Sequence, residues 1–152
     1  GGDTFNVIPE KVILRGTVRA FRPEVQDATE AKMEKICRSI AEAFDARVDV
    51  HYDRRYPPLI NDAEHIDKCA EIARELIGAE NVDTNAAPVM GSEDFAYMLQ
   101  HRPGCYINLG NGVGEEGGVN VHNPGYDFND AALPYGASFW ALLVEKLLPK
   151  AA

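Results

Sequence analysis

Two adjacent prolines, Pro57 and Pro58, constrain this chain more than any other feature. Proline fixes φ near about −65°, donates no backbone hydrogen bond and drives the residue before it out of the helical region. Tyr56-Pro57-Pro58 can therefore neither continue a central strand nor sit inside a helix, and a domain boundary or hinge is expected between Arg55 and Ile60. Ahead of the break the pattern is strand, helix, strand. Residues 11–21, KVILRGTVRAF, alternate, with Leu14, Gly16, Val18 and Ala20 on one side and Arg15, Thr17 and Arg19 on the other, which predicts a half-buried strand. Pro23 suits the first turn of a helix, and Glu24 and Asp27 favour its positive end. Met33, Ile36, Cys37, Ile40 and Phe44 then recur at helical spacing as one apolar stripe. Residues 47–52, RVDVHY, alternate again, with Val48, Val50 and Tyr52 facing inwards. A helix on one face of an open sheet follows, an α+β arrangement.

Behind the break helices dominate. Asn61 followed by Glu64 resembles a capping box, and Ile66, Cys69, Ala70, Ala73, Leu76 and Ile77 make a stripe that stops at Gly78. Ser92 is placed to cap a short helix carrying Phe95, Met98 and Leu99, with Glu93 and Asp94 in its first turn. Cys105-Tyr106-Ile107-Asn108-Leu109 reads as a short buried strand. From Asp130 to Leu148 the sequence is apolar nearly all round, which predicts a helix buried between layers. The class expected for the whole is α/β.

With 45% hydrophobic and 26% charged residues, the 152-residue chain has a globular composition, enough for one average domain or a small domain and part of another. A net charge of −9 argues against nucleic acid or an anionic membrane as the main partner. No apolar run approaches the ~20 residues that span a bilayer, and no signal-peptide pattern is present. Cys37, Cys69 and Cys105 form neither a CxxC pair nor an even disulfide set, so reduced thiols and a cytoplasmic location are expected. The opening Gly1-Gly2-Asp3, without an initiator Met and followed at once by Phe5, Val7 and Ile8, reads as an entry into the middle of something larger.

The stretch with most chemical interest is the loop from Gly110 to Phe128, GNGVGEEGGVNVHNPGYDF. It follows a strand-like run and holds His122 between Asn120, Asn123, Pro124 and Gly125. Such a loop is where α/β folds place binding groups; equally, a histidine there is an ordinary surface residue. Gly110-Asn111-Gly112-Val113-Gly114 does not make a dinucleotide fingerprint, because further glycines and an Asn/His/Pro loop follow it instead of a helix. His51, His65 and His101 read as solvated or capping residues. Glu93 and Asp94 suit either acid–base work or the dipole of a first helical turn. Patterning thus marks a candidate site around Gly91–Asp94 and His122, without a reaction.

Six strings, GGDTFNVIPE, LRGTVRAF, YPPLIND, MGSEDFAYML, PGCYINLGNG and VHNPGYDFND, run in this order over essentially the whole chain. Together they resemble the C-terminal half of the metal-dependent amidohydrolase family that contains hippurate hydrolase, indole-acetyl-amino-acid hydrolases and N-acyl-amino-acid deacylases. Aminoacylase and the glutamate carboxypeptidases are more distant relatives. The resemblance implies a zinc-peptidase-like α/β catalytic domain interrupted by an inserted α+β lid of four strands and two helices, through which subunits pair. Residues 1–57 correspond to the second half of that lid (dimerisation) domain, and residues 58–152 to the C-terminal part of the catalytic domain. The implied reaction is hydrolysis of the amide bond of N-acyl amino acids by a metal-activated water, with two divalent metals (zinc, manganese or nickel) per site.

Site residues carry over one at a time. His122 matches a histidine that ligates one of the two metals. Asn6 matches a lid asparagine that reaches the substrate in the partner subunit's site. Arg19 matches a lid arginine that holds the substrate carboxylate, a task suited to its planar fork; on patterning alone it is also a solvated strand residue. Gly91 matches a glycine whose backbone approaches the substrate. Glu93 and Asp94 belong to a motif of the hippurate-hydrolase branch and receive no direct role. The family's other metal ligands and its general-base glutamate lie in an N-terminal half that these 152 residues do not contain. No catalytic residue is therefore expected here, and the chain alone is expected to be inactive. The alternative is a non-catalytic dimerisation or interaction module derived from such an enzyme.

Overall fold

The computed structural model describes residues 1–114 and 117–148. The chain divides into two compact units, one of Gly1–Pro58 with Val89–Ser92 and one of Leu59–Pro88 with Glu93 onwards.

The first unit is built on a single helix, α1 (Pro23–Ala43), which has proline in its first turn as the sequence predicts. Its half-buried line is Gln26, Thr29, Glu30, Met33, Cys37 and Ala41. Only Met33 and Cys37 of the predicted stripe lie on it; Ile36 is 56% exposed and Phe44 79%. The cause is visible at Arg54. Its Nε donates to Glu30 Oε2 at 2.7 Å and its Nη1 to Asp27 Oδ1 at 2.6 Å, so the run beyond residue 47 is tied to the acidic flank of α1. In that run Val48, Val50 and Tyr52 are half-buried and their neighbours exposed, the alternation expected from the sequence.

The strands themselves are missing. Among the described residues, the runs 11–21, 47–52 and 105–109 carry no paired backbone ladder, so the sheets of the expected α/β and lid architecture are not formed. A strand exists by pairing, and alternation supplies a face without supplying a neighbour. Leu14 is correspondingly exposed, and Tyr106, Ile107 and Leu109 are not buried as predicted.

The second unit has a small core. Helix α2 (Ala63–Ile77) begins at Asp62, whose Oδ1 accepts from the backbone N–H of His65 at 3.1 Å. The cap falls one residue after the predicted Asn61 because the Asn61 amide is engaged elsewhere, with the backbone of Tyr106. The helix stops where predicted: Gly78 has φ 86°, and a β-carbon there would come within 2.6 Å of the Glu80 carboxylate. A short helix, α3 (Phe95–Leu99), follows, with Asp94 rather than Ser92 at its N-cap position and no side-chain cap. A 3-10 turn, Asp130–Ala132, leads into α4 (Leu133–Leu147), which packs on α2. Among the described residues Ala70 and Ile72 of α2, Ala96 of α3, Ala132 and Phe139 are the buried hydrophobics, and Lys146 of α4 pairs with Glu75 of α2. Leu133, Trp140, Val144 and Leu148 remain exposed, so α4 is covered on one side and not between layers as predicted. Among the described residues no helix is long and apolar enough to cross a membrane.

Candidate functional site

The loop that carries His122 is latched at its base by one side chain. The Asn111 amide donates to the carbonyl of Asp127 at 2.9 Å, and its oxygen accepts from the N–H of Asn129 at 2.9 Å. An asparagine side chain presents a donor and an acceptor in one plane, so here it imitates a strand neighbour. The same amide donates to Gly117 at 3.2 Å, and a β-carbon on Gly117 would meet the Asn111 carbonyl oxygen at 1.9 Å. Only glycine fits there, and its φ of 77° asks for glycine as well.

Past the latch the chain makes a tight turn. The N–H of Gly125 donates to Asn123 Oδ1 at 2.8 Å, and that of Tyr126 to the Asn123 carbonyl at 2.9 Å. Asn129 then caps the 3-10 turn before α4 through the N–H of Ala131 at 3.0 Å. Between Asn111 and Asn123 sits His122, exposed, with φ 64°. A left-handed backbone at a non-glycine residue costs energy and persists where the surroundings impose it, a pattern concentrated at functional positions.

A second anchored cluster lies beside the start of α2. The Asn61 amide donates to the Tyr106 carbonyl at 2.9 Å and accepts from the Tyr106 N–H at 2.8 Å, again standing in for a strand. The N–H of Asp62 donates to the carbonyl of Gly104 at 3.0 Å. Tyr106 Oη donates to Glu93 Oε2 at 3.1 Å, and the rings of Phe95 and Tyr106 lie 5.9 Å apart. A side-chain hydrogen bond shared with Asp94, and then the Phe95 N–H and Tyr106 Oη that donate to it, hold the Glu93 carboxyl below the usual carboxylate range. Glu93 thus works as a tie between the turn before α3 and the run at Tyr106.

Asn6, Arg19 and Gly91 all belong to the first unit, and His122 belongs to the second. All four are exposed. A β-carbon at Gly91 would meet nothing within 4 Å. Of the other histidines, His51 and His101 are exposed, while His65 Nδ1 lies 2.7 Å from Asp62 Oδ1. Among the described residues no three of His, Cys, Asp and Glu converge on a point where a metal ion could sit. A single imidazole holds a divalent ion weakly, so the side chains described here do not by themselves form a metal centre. Patterning does not reveal the two asparagine latches. Asn111 lies inside a glycine-rich run and Asn61 has the spacing of a helix cap, and what identifies them is the backbone each one faces.

The model of peptidase family M20/M25/M40 matches residues 4–146. The hippurate hydrolase of Campylobacter jejuni is 36% identical over 147 residues, which cover 97% of this chain and 37% of that protein. The IAA-amino acid hydrolase ILR1-like 2 of Arabidopsis thaliana is 34% identical, over 100% of this chain and 35% of its own length. The N-acetyl-L-cysteine deacetylase of Bacillus subtilis is 32% identical, over 97% and 34%. The chain spans about a third of the length of these curated relatives. No solved structure matches it.

Proposed function

We propose, on the premise that this chain belongs to peptidase family M20/M25/M40, that it forms part of a hydrolase cleaving the amide bond of N-acyl amino acids, hippurate-like compounds among them. The observation that carries the reading is the match to hippurate hydrolase along nearly the whole chain. Relatives named for hydrolysing or deacetylating amino-acid conjugates support it. Members of the family are generally metal-dependent, and His122 is the residue of this chain offered as a ligand. The remaining ligands and the general base are assigned to sequence beyond these 152 residues. Arg19 is offered for the substrate carboxylate, while Asn6 and Gly91 contact the substrate. Residues 1–57 are read as lid and residues 58–152 as catalytic domain, and two copies pair through the lid.

The test is a chimaera in which residues 4–146 replace the matching segment of the Campylobacter jejuni hippurate hydrolase. Hippurate hydrolysis is expected, and His122→Ala should abolish it while lowering the metal content measured by elemental analysis. A folded chimaera whose rate and metal content are unchanged by His122→Ala would remove His122 from the site. The 152-residue chain alone, supplied with zinc, manganese or nickel, is expected not to turn over N-acetyl or N-benzoyl amino acids. Activity that survives repurification and disappears in His122→Ala would overturn that part.

A second reading, a non-catalytic association module, is favoured by the uncovered apolar side of α1, where Ile36, Ile40 and Phe44 are all exposed. An inactive chimaera together with self-association of the chain would select it.

A further inference from the structure

The side chain that latches the His122 loop is also its chemically weakest point. Of all the asparagines in the sequence, Asn111 alone is followed by glycine. An asparagine side chain can be attacked by the backbone nitrogen of the next residue, and a side chain on that residue obstructs the approach. Glycine has none, and Gly112, at φ 120°, occupies backbone space that glycine enters freely. Against this stands the latch. The Asn111 amide donates to the carbonyls of Asp127 at 2.9 Å and Gly117 at 3.2 Å, and its oxygen accepts from the N–H of Asn129 at 2.9 Å. The side chain has to leave these partners before it can turn back on its own peptide.

We propose that Asn111 is a deamidation site guarded by its own hydrogen bonds, and that its conversion unlatches the His122 loop irreversibly. The chemistry needs only water. The Gly112 nitrogen gives up its proton and bonds to the carbonyl carbon of the Asn111 side chain. The bond from that carbon to Nδ2 breaks, and Nδ2 leaves as ammonia. Water then opens the five-membered imide. Cleavage at the former side-chain carbon restores the main chain and leaves an aspartate, whereas cleavage at the main-chain carbonyl leaves an isoaspartyl link. Either way one water is consumed, one ammonia is released, and nothing is oxidised or reduced.

Neither product can close the latch again. In the aspartate an acceptor-only carboxylate replaces the amide N–H groups. The carbonyls of Asp127 and Gly117 then face an anion where they faced a donor, so two attractions become repulsions. The isoaspartyl link runs the main chain through the former side chain, so no side-chain amide remains and the backbone is one carbon longer. With either product the base of the loop loses the tie between residue 111 and residues 127–129. The device works in one direction. Each local opening exposes Asn111 to conversion, and each conversion fixes the open form. It does not depend on what His122 binds.

The experiment incubates the purified 152-residue chain, native and in strong urea, in the same mildly alkaline buffer. Peptide mapping by mass spectrometry follows the gain of about one mass unit at each asparagine. In urea Asn111 should convert first, and Gly112→Ala should slow it there by at least about tenfold, in a state where folding plays no part. In the native chain Asn111 should convert at least about tenfold more slowly than in urea, and still ahead of every other asparagine. Asn111→Asp, which copies one product, should let the Asn129 amide exchange at least about tenfold faster while the core of α4 keeps its protection. Conversion as fast in the native chain as in urea, or another asparagine converting before Asn111, would overturn the proposal. So would unchanged exchange at Asn129 in Asn111→Asp. The comparison of native with urea uses the unsubstituted chain, so it decides the matter even where Asn111→Asp fails to fold.

Discussion

His122 combines an exposed imidazole with a left-handed backbone, and the two properties can be separated by substitution. His122→Ala removes the ring and keeps the strained φ of 64°, whereas His122→Gly removes both. The glycine variant should therefore be more stable than the alanine variant by roughly 1 kcal/mol, the usual cost of a side chain in the left-handed region. Denaturant midpoints would measure this. Equal midpoints would mean that the turn at Asn123 tolerates His122 without strain. Arg19 poses a different question, since its guanidinium is exposed. In the chimaera, Arg19→Ala should lower kcat/KM for N-acyl amino acids by about one to two decades, through KM, and leave the matching amides without a free carboxylate little changed. An equal loss on both substrates would show that Arg19 does not read the carboxylate.

Among the elements, the latched loop and α2 each hang on one side chain. Asn111 satisfies backbone groups at Gly117, Asp127 and Asn129. Asn111→Ala leaves these without their partner and should cost about 1–3 kcal/mol. Local opening should appear as faster amide exchange at Asn129 than at the core of α4, and unchanged exchange there would count against the latch. For α2, Asp62 accepts first from the His65 ring and then from the His65 N–H, which holds its carboxyl below the ordinary range. A depressed acid contributes stability fully above its unfolded pKa and loses it as pH falls through the folded value, so the window lies below about pH 4. The urea midpoint of the unsubstituted chain should thus fall more steeply between pH 5 and pH 2 than that of Asp62→Asn, which still accepts the N–H but cannot be neutralised. Parallel curves would assign the acid sensitivity to other carboxylates, Glu64 with its Lys68 partner first among them.

Taken unit by unit, the molecule shows why a partner is expected. The second unit closes a small core of Ala70, Ile72, Ala96, Ala132 and Phe139, while among the described residues of the first unit no side chain is fully buried. Phe5, Ile8, Leu14 and Phe44 are almost wholly open to solvent. Apolar faces and unpaired backbone on this scale seek other chains. The 152-residue chain should therefore be a dimer or larger, through residues 1–52, and Ile36→Glu with Ile40→Glu should shift it towards monomer. Light scattering at micromolar concentration checks this; a clean monomer before substitution would exclude it.

Local chemistry alone determined a good deal of this protein. Pro23 opens α1, Gly78 closes α2, and the alternation of Val48, Val50 and Tyr52 survives as an alternation of burial. These depend on φ restrictions and on periodicity within a few residues, which any chain segment carries with it. The six ordered strings point in the same way to the family whose model and relatives the chain matches. The tertiary structure alone decided which faces are covered and which backbone groups find partners. Ile36 and Phe44 belong to an apolar stripe whose covering layer no local rule supplies, and residues 11–21 have a strand's alternation without a strand's neighbour. Asn61 and Asn111 became latches because of the backbone opposite them, 45 and 16 to 18 residues away. Pairing is a property of two segments, and each segment's sequence records only its own half.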